Sequence, residues 1–329
     1  MEVDDGAELC FPQLLNTSCR KPTLPWSEAV FLHTLLSSIS LLTVALNLLV
    51  IISVSHFRQL HTSTNILLLS LAVSDFLVGL LLMPGEILRK TSCWFLGDLM
   101  CSLYKNLAYI LTSASVGDMV LISVDRYVAI CHPLHYTTRI TERRVKLCVC
   151  LCWFCSVFYC SLFVKYSLVQ PDRYNSCYGE CVFVINYNAG AVDLVLTFIV
   201  PITVIIVLYM RVFVVAVSQA RAMRSHITAV TLQRSVTLTA RKSELKAART
   251  LGVLGFLFLM CFCPYYCVSF AGDNALNASS ASYVLYLFYF NSCLNPVIYA
   301  LFYPWFKKAV FQIVTFKILQ PGSCEANIL

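Results

Sequence analysis

Seven stretches of this 329-residue chain are apolar enough and long enough to cross a bilayer, and no other feature limits its fold so severely. A hydrocarbon core about 30 Å thick needs about 20 apolar residues at about 1.5 Å rise each. The stretches lie at about 29–53, 64–88, 99–130, 147–168, 188–215, 248–271 and 281–303. Composition agrees, with 59% hydrophobic and only 12% charged residues, against roughly 45–50% and 25% in a soluble domain. A water-soluble fold of this length could not bury that surplus, so the surplus faces lipid. No basic N-terminus precedes an apolar run, so the first span is expected to act as both signal and anchor.

Four spans contain proline (Pro84, Pro201, Pro264 and Pro296), which a bundled membrane helix tolerates because neighbours re-satisfy the freed carbonyls. A polar linker, 219–249, separates spans five and six, and the chain has no internal repeat of the kind that marks many transporters. The expected fold is an all-α membrane protein. It has an extracellular segment 1–28, a seven-helix bundle 29–303, and a cytoplasmic segment 304–329 that opens with a short amphipathic helix. There, Phe306-Lys307-Lys308-Ala309-Val310-Phe311 alternates basic and apolar residues at helical spacing and reads as an interfacial helix.

Orientation follows from charge. With the N-terminus outside, 17 of the 24 Lys and Arg residues fall on the cytoplasmic side, as the positive-inside rule requires. The net charge of +7 is therefore spread over loops, and no basic domain suited to nucleic acid emerges. The sequon Asn16-Thr17-Ser18 lies ahead of span one and agrees with an outer N-terminus. Of the 17 cysteines, Cys10, Cys19, Cys93, Cys101, Cys177 and Cys181 lie on the oxidising side and permit 15 pairings. Most others sit within spans and read as small packing residues. Zinc is the alternative for the Cys-x-Cys pairs, but lipid-embedded thiolates without His or carboxylate company would be costly to desolvate.

Ionisable residues inside spans are expensive and mark function by default. Asp75 lies in span two, Asp118 and Asp125-Arg126-Tyr127 in span three, and Asp193 in span five. Glu86, Lys105 and Lys165 sit nearer the outer boundary, where snorkelling offers a bland account. With these marks in place, the chain resembles a rhodopsin-type (class A) G-protein-coupled receptor. The resemblance runs through Asn47, Leu71 with Asp75, Asp125-Arg126-Tyr127, Trp153, Pro201 with Tyr209, Cys261-Phe262-Cys263-Pro264 and Asn295-Pro296-Val297-Ile298-Tyr299. The stretch Asn291 to Phe306 is similar to the fingerprint of trace amine-associated receptors, vertebrate sensors of volatile and trace amines expressed mostly in olfactory neurons. Two positions depart from the family pattern. Ala108 stands where amine receptors place an aspartate, and Phe262 stands where span six usually has Trp.

The resemblance implies several roles. Arg126 would be held at rest by Asp125 and by Glu244, and released toward a G protein, Tyr209 and Tyr299 as span six opens, with Asn295 and Pro296 part of the same switch. Asp75, Ser115, Asn291 and Asn295 match an allosteric sodium pocket, in which a hard cation keeps a buried carboxylate ionised; no other cofactor is implied. Cys101 would bond Cys181, and Cys10 would bond Cys177. Coupling would be to a stimulatory or olfactory G protein, at the plasma membrane. Asp118 is about −80° around the helix from Ala108 and should face a neighbouring helix, bonded to a polar group on span two or four.

A protonated amine in a low-dielectric cavity needs a carboxylate, and Ala108 supplies none. Asp193 lies eight residues before Pro201, about 12 Å up span five, a depth that suits a ligand cavity. Thr197 shares its face. Tyr109 on span three, with Thr112 beside it as a further ligand candidate, Phe262, Tyr265 and Tyr266 on span six, and Tyr289 on span seven line the expected site, the aromatic ones offering faces for cation–π contact. Some trace amine-associated receptors of fish resemble this arrangement. Glu86 is a second candidate carboxylate, for the far end of a diamine. Two other classes stand beside this reading, a class A receptor for a non-amine ligand and a membrane transporter. An enzyme is disfavoured, because no nucleophile, metal or paired-carboxylate constellation gathers at one depth.

Overall fold

In the computed structural model of the chain, the described residues are 8–14, 17–21, 26–168, 177–181, 187–226, 252–253, 255–268 and 278–328. They are helical apart from turns and two isolated bridges, Leu9 with Arg20 and Ser18 with Tyr178. Helix α1 is Trp26–His56, α2 is Ser63–Thr91, and α3 is Gly97–Cys131. A short helix Pro133–Arg139 precedes α4, Glu142–Leu168. Helix α5 runs as Tyr187–Leu194, Val195–Ile199 and Val200–His226. Gly255–Val268 is the longest described part of α6, α7 is Ala278–Phe302 and α8 is Pro304–Val314. Five of these, α1 to α5, are long and apolar enough to span, and Val284–Ala300 adds a sixth apolar run that turns 98° into α8.

Local chemistry explains the irregularities. Pro84 and Pro201 have no N–H to give, and the ring presses on the carbonyl four residues back. In both helices those residues, Leu80 and Thr197, lie inside a wider π turn, Val78–Leu82 in α2 and Val195–Ile199 in α5. Tyr303 is extended, as the residue before a proline prefers, and Pro304 opens α8 in the first-turn position where a missing N–H costs nothing. Helices α3, α4 and α5 extend past the apolar windows because helical hydrogen bonding does not stop where the lipid does.

The bundle has an apolar core threaded by a polar seam, and its outer faces are apolar as well. Thr43, Asn47, Ser70, Ser74, Asp75, Ser115, Asp118, Asn291, Ser292 and Asn295 are buried. Leu41, Leu42, Phe154, Phe158, Met210, Phe213, Phe256 and Met260 are exposed on outer faces. So apolar an exterior is stable only with lipid outside, where helix association relies on close packing and interhelical hydrogen bonds. Helix α3 is central, packed against α2, α4 and α5, while α1 packs on α2, α7 and α8. One face of α8 (Trp305, Phe306, Ala309) is buried.

Candidate functional site

Asp193 sits on α5 just before the π turn, and its carboxylate turns toward α4 and α6. The Tyr159 hydroxyl of α4 donates to Asp193 Oδ1 at 3.1 Å. Thr197 Oγ1 donates to the Asp193 carbonyl at 2.7 Å and lies 3.5 Å from the Tyr266 hydroxyl. Tyr109, Tyr159 and Tyr266 are its electrostatic neighbours. Among the described residues no Lys, Arg or His nitrogen lies within 4.0 Å of the carboxylate. The aromatic set is continuous. Tyr266 stacks on Phe198 at 4.2 Å and meets Tyr265 at 5.5 Å, and Tyr265 meets Phe288 at 4.8 Å. Phe288 in turn meets Phe262 at 4.4 Å and Tyr289 at 5.6 Å. On the other wall Phe163 lies 5.5 Å from Tyr109 and 6.1 Å from Tyr159. Thr112 is half-buried on α3. A cavity of about 280 Å³ borders the cluster between α3, α4 and α5, with Tyr159 and Thr197 in its wall.

Glu86, the second candidate carboxylate, already has a cationic partner in the structure. It is buried, and Arg89, one turn on, takes both its oxygens, with Nε donating to Oε2 at 3.0 Å and a second nitrogen paired to Oε1. The Tyr104 hydroxyl also lies 3.2 Å from Oε2. The i, i+3 spacing on one helix makes this pairing geometrically natural.

The outer cysteines bond as Cys101–Cys181, Cys10–Cys93 and Cys19–Cys177. The expected Cys10–Cys177 bond is therefore replaced. The N-terminal segment folds back on itself, with Cys10 N–H donating to the Cys19 carbonyl at 2.8 Å, so both cysteines reach the loop 177–181 together. Cys19 N–H bonds the Tyr178 carbonyl at 2.9 Å, placing it beside Cys177, while Cys10 lies over Gly179 and reaches Cys93. Gly179 has φ of +111°, and a Cβ there would run into Cys10. The sulfurs of Cys19 and Cys177 approach Glu180 in a metal-like group, but the disulfide consumes them.

Midway through the bundle, Asn295 Nδ2 donates to Asp75 Oδ2 at 2.7 Å, and Asp75 Oδ1 is buried with no hydrogen-bond partner among the described residues. Ser115 donates to Ser74 at 3.0 Å, and Asn291 is buried. A buried carboxylate with one oxygen left over is the chemistry a hard monovalent cation would suit, and Ser115, Asn291 and Asn295 are the residues that would hold it with Asp75. Asp118 faces α2, as its position around α3 implied. Ser70 donates to its Oδ2 at 2.8 Å, and the indole of Trp153 on α4 donates to Ser70 at 2.9 Å.

At the cytoplasmic end, Arg126 Nε donates to Asp125 Oδ2 at 2.9 Å. Thr64 on α2 donates to the same oxygen at 2.9 Å and accepts from Arg126, and the Tyr136 hydroxyl donates to Asp125 Oδ1 at 2.9 Å. The hydroxyls of Tyr209, Tyr299 and Tyr303 are buried and, among the described residues, have no hydrogen-bond partner of normal geometry. Tyr209 and Tyr303 lie in electrostatic range of Arg126, and Pro296 lies inside α7. Glu244 and Asn16 lie outside the described residues.

Sequence reasoning missed Tyr159, Phe163, Phe288, Arg89, Tyr104, Thr64 and Tyr136. The Glu86 to Arg89 spacing was a visible signal. The others become neighbours only through helix packing.

The match to known proteins is broad. Residues 46–299 match the family model described as 7 transmembrane receptor (rhodopsin family). The chain is 38% identical to trace amine-associated receptor 13c of Danio rerio, covering 98% of this chain and 97% of the relative. It is 37% identical to trace amine-associated receptor 9 of Mus musculus (98% and 94%) and 33% identical to trace amine-associated receptor 4 of Mus musculus (98% and 95%). With motifs, fold and full-length similarity in agreement, the chain belongs to the rhodopsin family of seven-transmembrane receptors, among the trace amine-associated receptors, and is a multi-pass membrane receptor rather than an enzyme.

Proposed function

We propose that this receptor senses small amines by pairing the ligand ammonium with Asp193 and relays binding to a G protein through Arg126. The observation that carries the reading is the state of Asp193. It is a carboxylate at ligand depth that meets the Tyr159 hydroxyl and, among the described residues, no cation, whereas Ala108 has no charge to offer and Glu86 is already matched by Arg89. An ammonium at Asp193 would gain a charge-assisted hydrogen bond and the faces of Tyr109, Tyr159 and Tyr266, a cation–π setting of the kind that recognises alkylammonium groups. Phe262 and Phe288 lie beneath as the link toward the switch. The relatives' names, which refer to trace amines, support the same ligand class.

The relay follows from the charges. In the geometry described, Arg126 is restrained by Asp125 and Thr64. Glu244 would add a second restraint from the foot of span six. Outward movement of α6 frees the guanidinium to meet the buried hydroxyls of Tyr209 and Tyr299 and a stimulatory, olfactory-type G protein. Sodium held by Asp75, Ser115, Asn291 and Asn295 would oppose that change by holding α2, α3 and α7 together. The N-terminus, with its sequon at Asn16, faces outward, and α8 lies along the inner leaflet of the plasma membrane.

The test is a cyclic-AMP reporter in cells expressing the receptor, screened with volatile primary, secondary and tertiary amines. A dose-dependent response that Arg126→Ala silences at equal surface density is the expected result. A response confined to uncharged ligands would instead favour the second reading, a class A receptor for a non-amine.

A further inference from the structure

The cavity between α3, α4 and α5 opens toward lipid. Cys155 and Leu196 in its wall are exposed, and Cys155 lies on the same stretch of α4 as the exposed Phe154 and Phe158. On the bundle side α3 and α4 close together, and Cys152 packs so near Gly117 that a Cβ there would collide with its sulfur. None of the described residues lining the cavity is charged. At about 30 Å³ for each water-sized group, its volume of about 280 Å³ has room for roughly nine of them.

The polar part of the wall has a one-sided chemistry. Ser113, Ser156, Tyr159 and Thr197 all line the cavity. Ser156 donates to Ser113 at 3.1 Å, Tyr159 donates to the Asp193 carboxylate at 3.1 Å, and Thr197 donates to the Asp193 carbonyl at 2.7 Å. Three of the four hydroxyl hydrogens are thereby spent, while the oxygens keep lone pairs. A molecule entering from the bilayer is met by acceptors and must bring a hydrogen of its own. An ion is excluded, because an uncharged wall facing lipid gives its charge no partner. That sets aside an alkylamine, which like lysine stays protonated up to a pKa of about 10.4. A neutral apolar molecule with one hydroxyl fits both requirements.

Two of the wall hydroxyls also hold Asp193, so the cavity and the ammonium site share Tyr159 and Thr197. Hydrogen bonds in a chain polarise one another. An alcohol donating to the oxygen of Tyr159 or Thr197 therefore tightens the bond that hydroxyl makes to Asp193. A carboxylate held more firmly toward α4 is harder for an ammonium to recruit.

We infer that this lipid-facing cavity is an inhibitory site for a neutral, apolar alcohol delivered by the bilayer. The binding site stands apart from the amine reading, and its effect on potency rests on that reading. One neutral hydrogen bond is worth about twofold to tenfold, which sets the size of the effect.

The experiment uses the full receptor in phosphatidylcholine membranes. The photoreactive probe is 3-azioctanol, and the competitors are 1-octanol and its isomer 1-methoxyheptane, an ether with no hydroxyl. Adducts should map to residues 152–159 and 196–201, be displaced by 1-octanol and not by the ether, and disappear in Cys155→Trp, which closes the mouth from an exposed position. In the same membranes 1-octanol should shift the most potent amine of the reporter screen rightward by about twofold to tenfold and then reach a plateau. The ether should cause no such shift, nor should 1-octanol on Cys155→Trp. Adducts spread equally over the outer face of α1 overturn the inference, as does displacement by the ether equal to that by 1-octanol. Localised adducts with no change in amine potency overturn the inhibitory role. If Asp193→Asn leaves amine potency unchanged, the amine reading falls, and the adduct pattern still decides the binding site.

Discussion

Thr64→Val should raise signalling in the absence of ligand, because one hydroxyl on α2 bridges both members of the Asp125–Arg126 pair. Its oxygen donates to Asp125 at 2.9 Å and accepts from Arg126, so an isosteric valine removes two hydrogen bonds to charged groups at once. A hydrogen bond to a charged group contributes about 1.5–3 kcal/mol. The site is partly buried at the cytoplasmic boundary, so the lower end applies to the bond broken on activation. About 1.5 kcal/mol is roughly a tenfold shift in the resting-to-active equilibrium. From a resting active fraction of about 1%, basal activity should climb to about 10% of the maximum. The assay is agonist-free nucleotide exchange on purified G protein in membranes, normalised to surface receptor. Thr64→Ser, which restores the hydroxyl, should return the native baseline. An unchanged baseline in Thr64→Val would mean that the hydroxyl serves both states equally, and the restraint on Arg126 would have to reside elsewhere.

Three further outcomes follow from other parts of the molecule. A Cβ on Gly255 would sit 2.7 Å from the Tyr209 ring, so Gly255→Ala should push α6 from α5, lower thermal stability by an overpacking cost of about 1–3 kcal/mol and raise basal activity; native values for both would show that the helices repack freely. Non-reducing peptide mapping should recover Cys10–Cys93, Cys19–Cys177 and Cys101–Cys181, and a Cys10–Cys177 peptide would contradict the clamp described above. Replacing external sodium with a bulky organic cation should raise agonist potency on the native receptor and leave Asp75→Asn unmoved, whereas equal sensitivity in the two would remove Asp75 from the sodium site.

Much of the bundle was legible in the chain because lipid imposes a simple rule. Apolar length gives the spans, and basic residues give an expected orientation. Motif residues such as Asp75, Arg126 and Tyr299 identify the family by type and spacing. The residues that share a site across helices were harder to see. Tyr159 meets Asp193 because α4 and α5 both pack beside α3, a relation that no spacing in the sequence encodes. The pairing of Glu86 with Arg89, by contrast, is encoded in the sequence as an i, i+3 spacing. Of the outer disulfides, Cys101–Cys181 is as the resemblance implies, whereas Cys10 takes Cys93 and not Cys177, for a different reason. Six cysteines allow many pairings, and the choice rests on a fold-back of the N-terminal segment that leaves no periodic trace.

Asp193→Asn on the amine response tests the account most directly. Removing one partner of a buried charge pair costs about 3–5 kcal/mol. Asp193 is only partly enclosed, so the lower end applies, about a hundredfold in potency. At matched surface density, Asp193→Asn should shift an activating amine rightward by at least about a hundredfold, while Ala108→Ser leaves it in place. An amine dose–response curve that stays where it is in Asp193→Asn would contradict the account.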